Sequence, residues 1–205
     1  MMTPFITVRG TVGVLDRANI DTDQIIPARF LRKPRSAGYH NFLFADTPSL
    51  RAAASQAAVL VAGENFGCGS SREGAVYALV DAGIRCVIAP SFGDIFLGNA
   101  AQNGLLAITT PAATAFAATW RDGDEVTVDL LAQTIRSADG TTQPFAVDAF
   151  RRRCLLEGLD DVGLTLQHAA EIAAFEVRDA VDRAWARPPA IDQANRSSTP
   201  SGVTP

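Results

Sequence analysis

Gly63-Glu64-Asn65-Phe66-Gly67-Cys68-Gly69-Ser70-Ser71-Arg72-Glu73 is the stretch on which the fold of this chain turns. Just upstream, Val59-Leu60-Val61-Ala62 is a short apolar run of the kind a buried strand presents. Downstream, Val76, Leu79 and Val80 share one helical face, and Gly83 is placed to end that helix. The pattern predicts a strand, a glycine-rich loop and a helix N-terminus. Gly63, Gly67 and Gly69 permit close approaches that a side chain would block. A helix N-terminus presents unpaired N–H groups and a partial positive charge, which favour an anion. Arg72 adds a planar fork of donors suited to a carboxylate or phosphate. A small carboxylic acid is the expected ligand.

The common glycine motifs do not match. A phosphate-binding loop needs Lys followed by Ser or Thr, and no lysine lies in this stretch. A dinucleotide fingerprint starting at Gly67 would need glycine where Arg72 stands, and a nucleophile elbow would need glycine where Glu73 stands. A purely structural account is also open. Ser70-Ser71-Arg72-Glu73 has the form of a capping box, with Ser70 as N-cap and Glu73 reaching back. That account leaves three glycines, a second serine and an arginine at one point without a reason.

The remainder of the 205 residues reads as one α/β domain. Val8, Val12 and Val14 fit a strand over residues 5–15, and Asn19 to Asp23 is an acidic turn. Pro27 to Gly38, with Phe30, Leu31, Arg32, Lys33 and Arg35, has the pattern of an exposed basic loop, and aromatic Tyr39 to Phe44 is expected to pack under it. Strand character at Cys86 to Ala89, helix at Phe92 to Asn103 and strand at Leu105 to Ile108 give βαβ punctuation and so parallel neighbours. Further helices are expected at Pro111 to Trp120, Asp148 to Gly158 and Ala169 to Trp185, and short strands at Val126 to Val128 and Thr134 to Arg136. Beyond Pro188 the chain is rich in Pro, Ser, Thr and Asn and is expected to be disordered.

Composition narrows the function. Hydrophobic residues are 47% of the chain and charged ones 20%, as in an ordinary soluble protein. A net charge of −4 carries no nucleic-acid footprint. No apolar run reaches the roughly 18 residues of a membrane span, and no signal peptide opens the chain. A cytoplasmic protein with no membrane or nucleic-acid partner is expected. Cys68, Cys86 and Cys154 are scattered, with no C-x-x-C, and His40 and His168 do not complete a metal site, so no metal is assigned to this chain.

Several blocks in order carry a resemblance. Gly67-Cys68-Gly69-Ser70-Ser71-Arg72-Glu73 resembles the G-x-G-S-S-R-E-H signature of the aconitase family's swivelling domain. Asn19-Ile20-Asp21-Thr22-Asp23-Gln24-Ile25-Ile26-Pro27 is similar to that domain's N-x-x-T-D-x-I-x-P signature. Ile88 to Phe96, with Asn99 and Asn103-Gly104-Leu105-Leu106, continues the match, and Phe150 to Leu166 resembles the small subunits of the family's two-chain bacterial members. One position departs: Gly74 stands where the signature has histidine.

The resemblance covers roughly residues 5–177. It implies a mixed, partly parallel sheet forming a barrel-like core with flanking helices. Residues 1–185 would be the swivelling-type domain and 186–205 a disordered tail. It implies removal and re-addition of water on a hydroxylated carboxylic acid, with 2-isopropylmalate, on the route to leucine, as the leading substrate. Another hydroxy di- or tricarboxylic acid, or carboxylate binding without catalysis, is the alternative. By the resemblance, Ser70 takes the carbon-bound proton and Ser71 and Arg72 bind a substrate carboxylate. Asp21, Thr22 and Asp23 approach the site. Phe30 and Leu31 suit a branched alkyl group, and Arg32 suits a second carboxylate. The family's two-chain members keep a [4Fe–4S] cluster on a large subunit, so that partner is expected and this chain is expected to bind no cofactor itself.

Overall fold

β2 (Ala57–Ala62) shows why the first apolar run is a strand. Its side chains alternate between two cores: Val59 and Val61 face one, Leu60 and Ala62 the other. A strand buried on both faces reads as a continuous apolar run, the signature of a parallel sheet covered by helices. β1 (Thr7–Leu15), β3 (Cys86–Ala89) and β4 (Leu106–Thr109) supply the parallel neighbours. Val12 pairs with Val59, Val59 with Cys86, and Cys86 with Leu106. β5 (Glu125–Asp129), β6 (Thr134–Ser137) and β7 (Thr142–Pro144) extend the sheet in antiparallel fashion from the other side of β1.

The computed structural model of the chain describes residues 2–186. Among them the seven strands form one sheet in the order β4-β3-β2-β1-β5-β6-β7, curled into a half-barrel. The expected mixed, partly parallel sheet is therefore present. β7 was not anticipated: it is three residues long and ends on Pro144, which only an edge strand tolerates.

Two layers of side chains flank the sheet. One core packs Leu15, Leu60 and Val87 against α1 (Thr22–Ile25), α2 (Pro48–Ala54), α3 (Glu73–Asp81) and α4 (Asp94–Gln102). The other packs Val12, Val61, Ile88 and Val128 against Ala113 of α5 (Ala112–Thr119) and Leu155 of α6 (Ala149–Glu157). Helix ends follow local chemistry. Asp148 caps α6 by accepting from Phe150 N and Arg151 N, and left-handed Gly158 closes it. Phe92, expected in a helix, lies ahead of α4 with its ring in the core, because the chain turns at Gly93 first. α2 and α7 (Asp161–Leu166) are too short for their periodicity to stand out.

The described residues form two compact units, one running to Leu164 and one starting at Thr165. The second contains α8 (Ala169–Asp182), which leaves Phe175, Val177 and Val181 exposed. Apart from Ala186, the tail expected at 186–205 lies outside the described residues. No helix among the described residues is long and apolar enough to cross a membrane.

Leu60 is fully enclosed, whereas Leu131 is 62% exposed. Leu60→Ala is expected to cost about 2–5 kcal/mol in urea unfolding, and Leu131→Ala no more than about 0.5 kcal/mol.

Candidate active site

Three loops leave the carboxyl ends of the adjacent parallel strands β1, β2 and β3, and the backbone ties them together. Gly67 N donates to Ile20 O (2.8 Å) and Thr22 N donates to Cys68 O (3.0 Å). Asn19 N donates to Glu64 O at 2.8 Å. On the other side, Phe66 N donates to Ser91 O (3.1 Å) and Gly93 N donates to Phe66 O (2.9 Å). Crevices at the carboxyl ends of parallel strands are where open α/β sheets bind ligands.

Side chains reinforce the junction. Asn65 Nδ2 donates to Asn19 Oδ1 at 2.8 Å, and Asn65 N donates to Ser91 Oγ at 2.8 Å. Both asparagines hold left-handed backbones, with φ of 58° and 56°. They escaped the sequence reading, although asparagine between a strand and a glycine-rich loop is a signal for that conformation. Under the loop, Phe66 meets Phe96 edge-on with ring centroids 5.3 Å apart, and Phe92 stacks on Phe96 at 6.1 Å. Gly67 has φ +72°, and a Cβ there would lie 2.3 Å from Phe96 Cγ. Only glycine lets the loop rest on that ring.

The capping-box expectation is corrected. α3 begins at Glu73 with Arg72 as N-cap and no side-chain cap, so Ser70 lies two residues outside the helix. Glu73 instead accepts from Asn103 Nδ2 at 2.8 Å, tying α3 to the end of α4. The capping box forms in the other signature: Asp21 Oδ1 accepts from Gln24 N (2.7 Å) and Asp21 N donates to Gln24 Oε1 (3.2 Å).

Freed from capping, Ser70 and Ser71 are exposed. Thr22 is buried, and its hydroxyl donates to Ser70 O at 3.0 Å, which orients the serine backbone. The Arg72 side chain is 20% exposed; its Nη1 is enclosed and paired by charge with Asp23 Oδ1, with no acceptor in line for a hydrogen bond. A cavity of about 380 Å³ opens beside Ser70, lined by Asn65, Gly67, Cys68, Gly69 and Asp94 among others. The fold therefore gathers Asp21, Thr22, Asp23, Ser70, Ser71 and Arg72. Leu31 reaches the first turn of the same helix, where it packs at Gly74. Phe30 is held elsewhere, stacked on Phe42 (4.2 Å) under the Arg29 guanidinium (4.5 Å), and Arg32 is exposed.

The thiols do not fit an iron–sulfur cluster. Cys86 lies fully buried on β3 and Cys154 is buried on α6, and burial pushes both thiols up. Cys68 stands in the loop; burial first, then the charge of Asp21, pushes its thiol up as well. A thiolate ligand needs the opposite shift. Among the described residues, no group of three or more His, Cys, Asp or Glu could hold a metal ion.

The comparisons with known proteins agree with this architecture. Residues 36–113 match the aconitase C-terminal domain and residues 114–149 match LeuD_N. Residues 161–187 match the C-terminal domain of the 3-isopropylmalate dehydratase small subunit. A 3-isopropylmalate dehydratase small subunit from Brevibacillus brevis is 45% identical over 86% of this chain and 100% of its own. The protein of that name from Acidobacterium capsulatum is 44% identical over 96% of this chain and 100% of its own. The chain belongs to the 3-isopropylmalate dehydratase small-subunit family. The crystal structure of 3-isopropylmalate dehydratase (leuD) from Methanocaldococcus jannaschii superposes with a TM-score of 0.66 at 30% identity, covering 83% of this chain and 99% of that one. Family membership accounts for the order of the blocks, and the loop bonds show why they must occur together.

Because Ser70 caps nothing, Ser70→Ala is expected to leave urea-unfolding stability within about 0.5 kcal/mol, whereas loss of a true N-cap costs about 1 kcal/mol. Gly67→Ala is expected to lose about 1–3 kcal/mol in the same measurement, from a forced left-handed backbone and the contact with Phe96.

Proposed function

We propose that this chain is the small-subunit half of a cytoplasmic hydro-lyase that interconverts 2- and 3-isopropylmalate in leucine biosynthesis. The observation that carries this reading is the meeting of Ser70, Ser71 and Arg72 with Asp21, Thr22 and Asp23 at one crevice, in a chain aligned along the full length of relatives with that name.

In the reaction, Ser70 as an alkoxide takes the proton from the carbon beside the one bearing the hydroxyl. The hydroxyl leaves and a double bond forms. Water then returns the other way round: its hydroxyl joins the carbon that lost the proton, and a proton joins the carbon that lost the hydroxyl. Ser71 and Arg72 hold a substrate carboxylate, the enclosed guanidinium giving a charged hydrogen bond out of competition with water. Asp23 keeps Arg72 aimed, and Asp21 and Thr22 fix the loops. Phe30 and Leu31 face the branched alkyl group, and Arg32 the second carboxylate.

A magnitude argues for a second chain. A helix N-terminus contributes about 0.3–1 kcal/mol to a nearby anion, and up to about 2 kcal/mol when partly buried. One pKa unit corresponds to about 1.36 kcal/mol, so α3 alone moves Ser70 by roughly one unit. Ser70 and Ser71 are open to solvent here. A partner that closes over them raises the strength of every charge in the site. The large subunit implied by the relatives' names would supply that cover and hold the [4Fe–4S] cluster, which acts on the leaving hydroxyl as a Lewis acid.

The test is anaerobic turnover of 2-isopropylmalate by this chain alone, and mixed with the large subunit after reconstitution of its cluster. Activity is expected only in the mixture, with Ser70→Ala lowering kcat at least a hundredfold, the lower range of a lost general base. Turnover by this chain alone would overturn the split-enzyme reading. Carboxylate binding that persists in Ser70→Ala without turnover in any mixture would favour a binding module.

A further inference from the structure

Gly74 is the second residue of α3 and is buried. A Cβ at this position would lie 2.5 Å from Leu31 Cδ2 and 3.4 Å from Tyr39 Cε2. The first distance is well inside van der Waals contact. The Leu31 side chain therefore occupies the space that any larger residue at 74 would fill. Backbone freedom is not the reason for the glycine: Gly74 is absent from the positive-φ residues and sits in a regular helix. Glycine is the poorest helix former after proline. What it supplies is room.

That room anchors a whole segment to α3. Tyr39 is buried, tilts against Tyr77 with ring centroids 6.3 Å apart, and donates its hydroxyl to Lys33 O at 2.9 Å. Arg35 lies over the Tyr77 ring at 4.1 Å and pairs with Asp81, Nη2 to Oδ1 at 2.6 Å and Nε to Oδ2 at 3.2 Å. Asp81 is the last residue of α3 and Arg72 its N-cap. The helix thus carries Ser70-Ser71-Arg72 at its start, Leu31 in its first turn and Arg35 at its end. The depth at which Leu31 sits fixes the Phe30-Leu31-Arg32 turn relative to the serines.

We propose that Gly74 is a specificity-positioning residue: by leaving room for Leu31 it sets the size of the alkyl group that the Phe30-Leu31-Arg32 turn accepts. The inference rests on the dehydratase reading. A side chain at 74 lifts Leu31 off the helix, narrows the alkyl subsite and shifts preference toward a smaller substituent. The fold tolerates the change, because Leu31 Cδ2 is the free end of a flexible side chain and α3 gains helix propensity.

The test compares the wild type, Gly74→Ala, Leu31→Ala and the double variant, each mixed anaerobically with the cluster-loaded large subunit. Substrates are 2-isopropylmalate and 2-methylmalate, which differ only in alkyl size. Gly74→Ala is expected to lower the kcat/KM ratio of the larger over the smaller acid about tenfold or more, through KM, the range expected when an apolar pocket changes by a methyl group. In the double variant, the methyl added at 74 faces a shortened residue 31, and the ratio returns to within about threefold of Leu31→Ala alone. Amide hydrogen exchange over residues 28–39 is expected to quicken in Gly74→Ala. An active wild type whose ratio is unmoved by Gly74→Ala, or a variant that loses both substrates equally, overturns the inference alone. A wild-type mixture inactive on both acids overturns the dehydratase reading and the inference with it.

Discussion

The backbone junction between the loops after β1 and β2 is the constraint on which the site depends. Gly67 N to Ile20 O and Thr22 N to Cys68 O form a short parallel bridge beyond the ends of the two strands. Without it, neither Asp23 nor Arg72 has a defined place, because both sit on loops whose own residues do not pack as a core. The strands beneath make the junction possible. β1 and β2 are paired in parallel through Leu15 and Ala62, so their loops leave side by side in the same direction.

The junction also explains the crowding of glycines in a loop that carries little regular structure. Two loop backbones and an aromatic floor must meet within hydrogen-bond range, and Gly67 rests directly on Phe96. A Cβ there would separate the layers that the amide bonds hold together. The hydroxyls of Ser70 and Ser71 stay free for chemistry because the structural duties have gone to others. Thr22 orients the serine backbone, Asp21 caps its own helix, and Glu73 ties α3 to α4 through Asn103.

α3 is the second organising element. Nine residues join a catalytic loop to a substrate-facing segment through side chains on one stretch of helix. The arrangement is economical in contacts. One missing side chain at Gly74, one ion pair at Asp81 and one ring at Tyr77 hold a run of short 3-10 turns at Ala28–Phe30, Arg35–Ala37 and Tyr39–Phe42 that have little regular pairing of their own. The expectation that Tyr39 to Phe44 packs under the loop holds for Tyr39, Leu43 and Phe44, all buried. The expectation of a plain exposed basic loop holds for Arg32 and Lys33, but not for Leu31.

The sequence by itself determined the α/β class, the parallel strands around β2, the position of the glycine-rich loop and the order of the signatures. These are local matters: strand burial on both faces writes itself as an apolar run, and turn chemistry writes itself as Gly, Asn and Asp. Only the tertiary structure decided what each polar residue in the loops does. A Ser-x-x-Glu spacing is compatible with a capping box wherever a helix starts, but here the helix starts two residues later, because Arg72 turns toward Asp23 from a different strand's loop. The same limit applies to Gly74. In the sequence it is a departure from a signature; in the fold it is the seat of a leucine more than forty residues earlier in the chain. No periodicity carries such a fact, since close packing between distant segments is set by where the sheet and helices bring them, not by their neighbours along the chain.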